Sequence, residues 1–173
     1  MNLASTLART VLCLLLAAPI AAPAVEEGER APAVKAARLD DPAASFELSA
    51  TRGQVVYVDF WASWCAPCLR SMPALRTLYG KYRERGFVVV GVNKDMAAGD
   101  AERFLRRFPV SFPLVLDADD AVAKAFVVKT MPSGYLIDRS GVVRHVHRGF
   151  TVETEAALGK QIEDLLGRPA AKP

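Results

Sequence analysis

The chain has 173 residues, room for one globular domain, and its 51% hydrophobic against 24% charged content is that of a foldable sequence, which excludes disorder over most of its length. Its 22 basic and 19 acidic residues leave a net charge of +3 and are scattered along the chain, so no basic stripe is dense enough for nucleic-acid binding. The three cysteines, Cys13, Cys65 and Cys68, are the informative count.

Residues 1–24 read as a secretory signal peptide. Arg9 supplies a positive start, Val11 to Ala22 is a nearly unbroken apolar run, and Ala22-Pro23-Ala24 offers small residues for cleavage. The run is about 12 residues against the roughly 20 that span a bilayer, and Pro19 and Pro23 break a spanning helix, although an uncleaved membrane anchor is the alternative. A lipoprotein reading of Cys13 is disfavoured, because Thr10-Val11-Leu12 lacks the small residue expected ahead of a lipidated cysteine. Cleavage after Ala24 removes Arg9 and Cys13 and leaves a net charge of +2 and two cysteines.

Residues 25–35 are polar and rich in alanine and proline, a flexible lead-in, and residues 169–173 form a tail of similar character. The domain is expected between them, over 36–168. Ala36 to Leu39 and Ser45 to Leu48 alternate weakly around Asp40-Asp41-Pro42, which predicts a small hairpin. Gln54 to Trp61 is a β-branched and aromatic run with the composition of a strand buried on both faces. From Cys65 to about Arg83, Cys68, Met72, Leu75, Tyr79 and Tyr82 recur at spacings of three and four, predicting an amphipathic helix that Pro73 should kink.

Phe87 to Val92 is a second buried strand and Asp100 to Phe108 a short helix. Pro113 to Leu116 is a third strand, followed by a helix from about Asp120 to Phe126. Gly134 to Ile137 and Val142 to His147 flank Asp138-Arg139-Ser140-Gly141, a hairpin turn with Gly141 where φ > 0 is needed. Thr151 is the N-cap expected for a last helix ending at Leu166, with Glu153 and Glu155 near its positive end. A crossover helix makes the first strands parallel, while the tight last turn makes its strands antiparallel. One mixed α/β sheet with helices on both faces and an N-terminal β-hairpin extension satisfies both.

In an oxidising compartment a cysteine pair is ordinarily a structural crosslink. The benefit of a crosslink grows with the loop it closes, and Cys65-Ala66-Pro67-Cys68 closes almost none, so this pair is a poor staple and a good reversible redox centre. Placed at the first turn of a helix, Cys65 is expected to have its thiol pKa drawn from about 8.5 towards 7, which raises its thiolate fraction at pH 7 to about half. That makes Cys65 the attacking thiol and Cys68, one turn deeper, the resolving one. Asp59 is a carboxylate inside an apolar strand, where burial without a counter-charge should raise its pKa.

Val58-Asp59-Phe60-Trp61-Ala62-Ser63-Trp64-Cys65-Ala66-Pro67-Cys68 resembles the active-site signature of the thioredoxin superfamily. Gly91-Val92-Asn93-Lys94-Asp95, Phe112-Pro113 and the run from Met131-Pro132 to Ser140-Gly141 resemble its exported TlpA/ResA-like branch, over roughly Phe46 to Leu166. The resemblance implies a thioredoxin-like fold and a thiol–disulfide oxidoreductase that needs no cofactor. It places Asp59 beneath Cys68 as a proton acceptor, a departure from the neutral residue more common in that branch. It sets Trp64 beside the active thiol as a substrate platform and makes the Met131–Pro132 bond cis, with the backbone of Met131 open to a substrate strand. Met131 stands where a threonine is common.

Ala66-Pro67 is closer to the Gly-Pro and Val-Pro dipeptides of reducing members than to the Pro-His of strongly oxidising ones, extremes separated by about 150 mV or roughly 7 kcal/mol. The implied activity is reduction or exchange of disulfides in exported periplasmic proteins, such as apocytochrome c or copper-site assembly proteins, by a monomer fed from a membrane electron donor of the DsbD or CcdA kind. A peroxiredoxin-type peroxidase is disfavoured, since no threonine precedes either cysteine at the required spacing. A metal chaperone is the competing class. His145 and His147, two apart on one strand face, could join Cys65 and Cys68 in a Cys₂His₂ set for copper or zinc.

Overall fold

A computed structural model of the chain describes residues 25–169. The signal-peptide expectation, Cys13 and the last four residues lie outside that range. A two-stranded antiparallel sheet of β1 (Lys35–Ala37) and β2 (Ser45–Glu47) comes first. Then follow β3 (Val55–Trp61), α1 (Cys68–Tyr82), β4 (Phe87–Asn93), α2 (Ala98–Arg107), β5 (Leu114–Leu116), α3 (Ala121–Ala125), β6 (Ser133–Ile137), β7 (Val143–Arg148) and α4 (Val152–Leu166).

The main sheet runs β5-β4-β3-β6-β7. β3 pairs parallel with β4 and antiparallel with β6, and β7 is antiparallel to β6. This is the mixed, thioredoxin-like sheet expected from one crossover helix and one tight hairpin, and Gly141 takes a φ of 85° in that turn.

β3 is the centre of the molecule and every residue in it is buried. Alternation splits it between two cores. Val55, Tyr57 and Trp61 pack with Met72 and Leu75 of α1, Phe104 of α2 and Leu158 and Ile162 of α4. Val56, Val58 and Phe60 pack on the other side with Val122 and Phe126 around α3 and with Tyr135 and Val143. Thr151 caps α4 by accepting a hydrogen bond from the Thr154 amide.

Two sequence expectations are revised. Regular helix begins at Cys68, three residues later than the periodicity places it: the turn before it is closed by i-to-i+3 bonds, Cys68 to Cys65 and Leu69 to Ala66, and Pro67 has no N–H with which to extend the α-helical ladder back to Ser63. The segment read as a flexible lead-in is laid along β7. Gly28 donates to the Val143 carbonyl (2.8 Å), Val143 donates to Glu29 (2.8 Å), Ala31 donates to Gly141 (3.0 Å), and Val25 and Val34 are buried. The small hairpin is likewise tied in, through Arg38 bridging to Val115 and Leu39 donating to the Leu114 carbonyl.

Candidate active site

The carboxyl end of β3 runs through Ala62–Trp64 into a string of tight turns. Cys65 donates to the Ala62 carbonyl (3.1 Å), Cys68 to Cys65 (3.0 Å), Leu69 to Ala66 (3.2 Å) and Arg70 to Pro67 (3.0 Å). These bonds satisfy amides that a helix start otherwise leaves unpaired. They hold the two cysteines as a disulfide with Cα atoms 5.3 Å apart. Cys68 is fully buried and Cys65 retains a small exposed area.

Asp95 fixes this turn from the neighbouring strand. Its two carboxylate oxygens accept from the Ser63 amide (both 3.1 Å), one also accepts from the Ser63 hydroxyl (2.9 Å), and the other from the Asn93 side-chain amide (2.9 Å). Lys94 donates its backbone N–H to the Trp61 carbonyl at 2.8 Å. Beyond it, the Lys94 ammonium is paired with Asp117 and Asp120, and Asp117 accepts from the Val122 and Ala123 amides in the first turn of α3. The sequence reading assigned Asn93, Lys94 and Asp95 no role. The available signal was two polar residues, Asn93 and Asp95, closing an apolar strand that runs beside the cysteine strand.

Asp59 projects into the same core as Tyr57, Trp61 and the cysteines, by the alternation of β3. It is 1% exposed and neither carboxylate oxygen has a hydrogen-bond partner among the described residues. Burial therefore pushes its pKa well above the ordinary carboxylate range. Its row neighbours are glycines, Gly91 on β4 and Gly134 on β6, followed by His147 on β7. A Cβ at Gly134 would overlap the Tyr57 hydroxyl, which fills that space and lies 3.2 Å from His147 Nδ1. Burial, and secondarily the charge of Asp59, raises the Tyr57 pKa, while burial lowers that of His147.

A groove of about 720 Å³ opens at the cysteine turn, and Trp64, Cys65, Ala66, Pro67 and Met131 all line it. Trp64 is 67% exposed on the rim, whereas Trp61 is core, packed on Phe104. The Met131–Pro132 bond is cis, and Pro132 is buried where it leads into β6. Cys68 and Asp59 are buried and do not line the groove. The histidines do not complete a metal set: His147 is engaged with Tyr57 and His145 faces Glu27 (3.7 Å). Among the described residues, no three His, Cys, Asp or Glu side chains group as metal ligands.

A thioredoxin-like sheet with a Cys-x-x-Cys pair at the end of its central strand and a cis proline before β6 defines a class, the thiol–disulfide oxidoreductases. Known proteins agree. The Redoxin family model matches residues 26–162, and the chain belongs to that family. It is 34% identical over 151 residues to the thiol-disulfide oxidoreductase ResA of Geobacillus thermodenitrificans, covering 82% of this chain and 86% of that one. To ResA of Geobacillus kaustophilus it is 35% identical over 118 residues, covering 68% and 67%. A Chlorobium tepidum protein assigned as thiol:disulfide interchange protein DsbE superposes with a TM-score of 0.79 at 39% identity, over 83% of this chain and all of that one. The activity is thiol–disulfide oxidoreduction, and its substrates are disulfide-bearing proteins.

Proposed function

We propose that this is an exported reductant of protein disulfides, delivered to the periplasm by residues 1–24 and kept reduced by a membrane electron donor of the DsbD or CcdA type. The observation that carries the reading is the asymmetry of the pair: Cys65 at the groove, Cys68 wholly buried behind it. The Cys65 thiolate attacks one sulfur of a partner disulfide, forming a mixed disulfide and expelling the other partner sulfur as a thiolate. In the fraction of molecules whose Asp59 is ionised, that carboxylate, a stronger base for its raised pKa, takes the Cys68 proton; the Cys68 thiolate attacks Cys65, which closes the Cys65–Cys68 bond and releases the second partner thiolate. Two electrons pass to the partner and the protein is left oxidised. Trp64, Ala66, Pro67, Met131 and Pro132 form the surface on which the partner segment lies. Apocytochrome c and copper-site assembly proteins are the candidate partners, and a monomer suffices for every step.

Replacing Cys68 by Ser should halt the cycle at the mixed disulfide. Incubated with an oxidised exported protein, the C68S variant is expected to form a covalent adduct that thiol releases and that C65S does not form. An adduct carried by C65S instead, or failure of reduced wild-type protein to reduce insulin, would remove the assignment.

A further inference from the structure

The groove beside Cys65 carries charge that the fold does not neutralise. Three lysines line it, Lys94, Lys124 and Lys129, against one acid, Asp120. Lys94 is shared between Asp120 and the buried Asp117, a trio left with one negative charge. Lys124 reaches only the Asp119 backbone carbonyl (3.4 Å), and neither it nor Lys129 makes an ion pair among the described residues; both are exposed. Against that single negative charge stand two lysines without ion-pair partners among the described residues, so the groove beside Cys65 is net positive.

The turn that bears these lysines also holds an unfavourable backbone. After α3, Val128 donates to the Ala123 carbonyl (2.9 Å) and Val127 to Lys124 (3.1 Å), the nested pair that ends a helix with a left-handed residue. That residue is Val127, at φ 52°. Glycine is the ordinary occupant, and a β-branched side chain there is strained. Val127 lines the same groove as Trp64.

We infer that the groove selects partner segments in which the reactive cysteine is flanked by carboxylates and by an apolar residue. The carboxylates meet Lys124 and Lys129, and the apolar residue lies between Trp64 and Val127. This rests on the reading of Cys65 as the attacking thiol. Opposite charges across such a site raise encounter rates and fix register, and added salt removes the advantage.

The test uses three cysteine peptides that differ only in Glu, Ser or Lys beside a Leu-Cys core, each blocked as the mixed disulfide with uncharged 2-mercaptoethanol. Reduced protein is expected to react about five- to tenfold faster with the Glu than with the Ser peptide at 20 mM salt, and slowest with the Lys peptide. That order should collapse at 500 mM salt and invert in the Lys124→Glu/Lys129→Glu variant. Val127→Gly should raise the melting temperature and slow the Leu peptides relative to Ala-Cys versions. Equal rates for the three peptides, or a preference that survives both salt and charge reversal, would overturn the proposal. A V127G protein with an unchanged Leu-to-Ala ratio would remove Val127 from it. No reaction with any peptide or with insulin would instead count against Cys65 as nucleophile.

Discussion

Asp59 enters the core with no hydrogen bond to either carboxylate oxygen among the described residues, so its charged form lacks what normally offsets desolvation. The folded protein holds that proton to higher pH than the unfolded chain, where an aspartic acid loses it near 3.9. The associated stability is full below about pH 4 and is lost as pH rises through the folded-state value, by at most about 1.4 kcal/mol per pH unit. Asp59→Asn should abolish this slope, so oxidised wild-type protein should lose stability relative to the variant between pH 4 and 8. Parallel urea midpoints across that range would show that Asp59 is not held protonated. Asp95 carries the opposite kind of work, since its carboxylate is fully bonded. Asp95→Ala removes three bonds to Ser63 and one to Asn93. It should cost about 1–3 kcal/mol by denaturation and slow insulin reduction as the cysteine turn loosens. Asp59 was legible as a polar residue in an apolar run. Asp95 was not, because its partner is 32 positions away and only the pairing of β3 with β4 brings them together.

At the scale of elements, β3, β4, α1 and the β6–β7 hairpin were readable because each is a long apolar or periodic stretch bounded by a turn signal. The cysteine turn was not readable as a turn: its periodicity continues that of α1, and what separates them is a change from i-to-i+4 to i-to-i+3 bonding around Pro67, which has no N–H to donate. The row Gly91–Asp59–Gly134–His147 was invisible for a related reason, since sheet register joins four strands that sequence order keeps apart. Gly134 is required there by Tyr57, whose hydroxyl occupies the space a side chain would take. Gly134→Ala should therefore destabilise the protein by about 1–3 kcal/mol, as overpacking does, with the loss read in thermal melts. An unchanged melting temperature would mean that Tyr57 has another low-energy position. The paired histidines, read from alternation alone as metal-ligand candidates, are better explained by this row: His147 orients the Tyr57 hydroxyl and His145 points to Glu27.

Across the whole molecule, one mixed sheet carries the redox pair at the end of its wholly buried central strand, and Cys68 belongs to the core that α1, α2 and α4 close over that strand. The N-terminal segment belongs to this body. Its alanine- and proline-rich composition hides the fact that two valines and three backbone bonds anchor it along β7. Deleting residues 25–34 should lower stability by about 2–4 kcal/mol, the worth of two buried valines and their bonds less the entropy of ordering the strand. A truncated protein with the full-length urea midpoint would show that the segment rests on the fold without supporting it.

In the function proposed above, this fold holds its cysteine pair as a reductant. The reduction potential of Cys65–Cys68, measured by equilibration against a thiol–disulfide buffer at pH 7, tests it most directly. The Ala66-Pro67 dipeptide leads to a value near about −270 mV, in the range of reducing thioredoxins, whereas a value near about −120 mV, that of a strong oxidant, would overturn this reading.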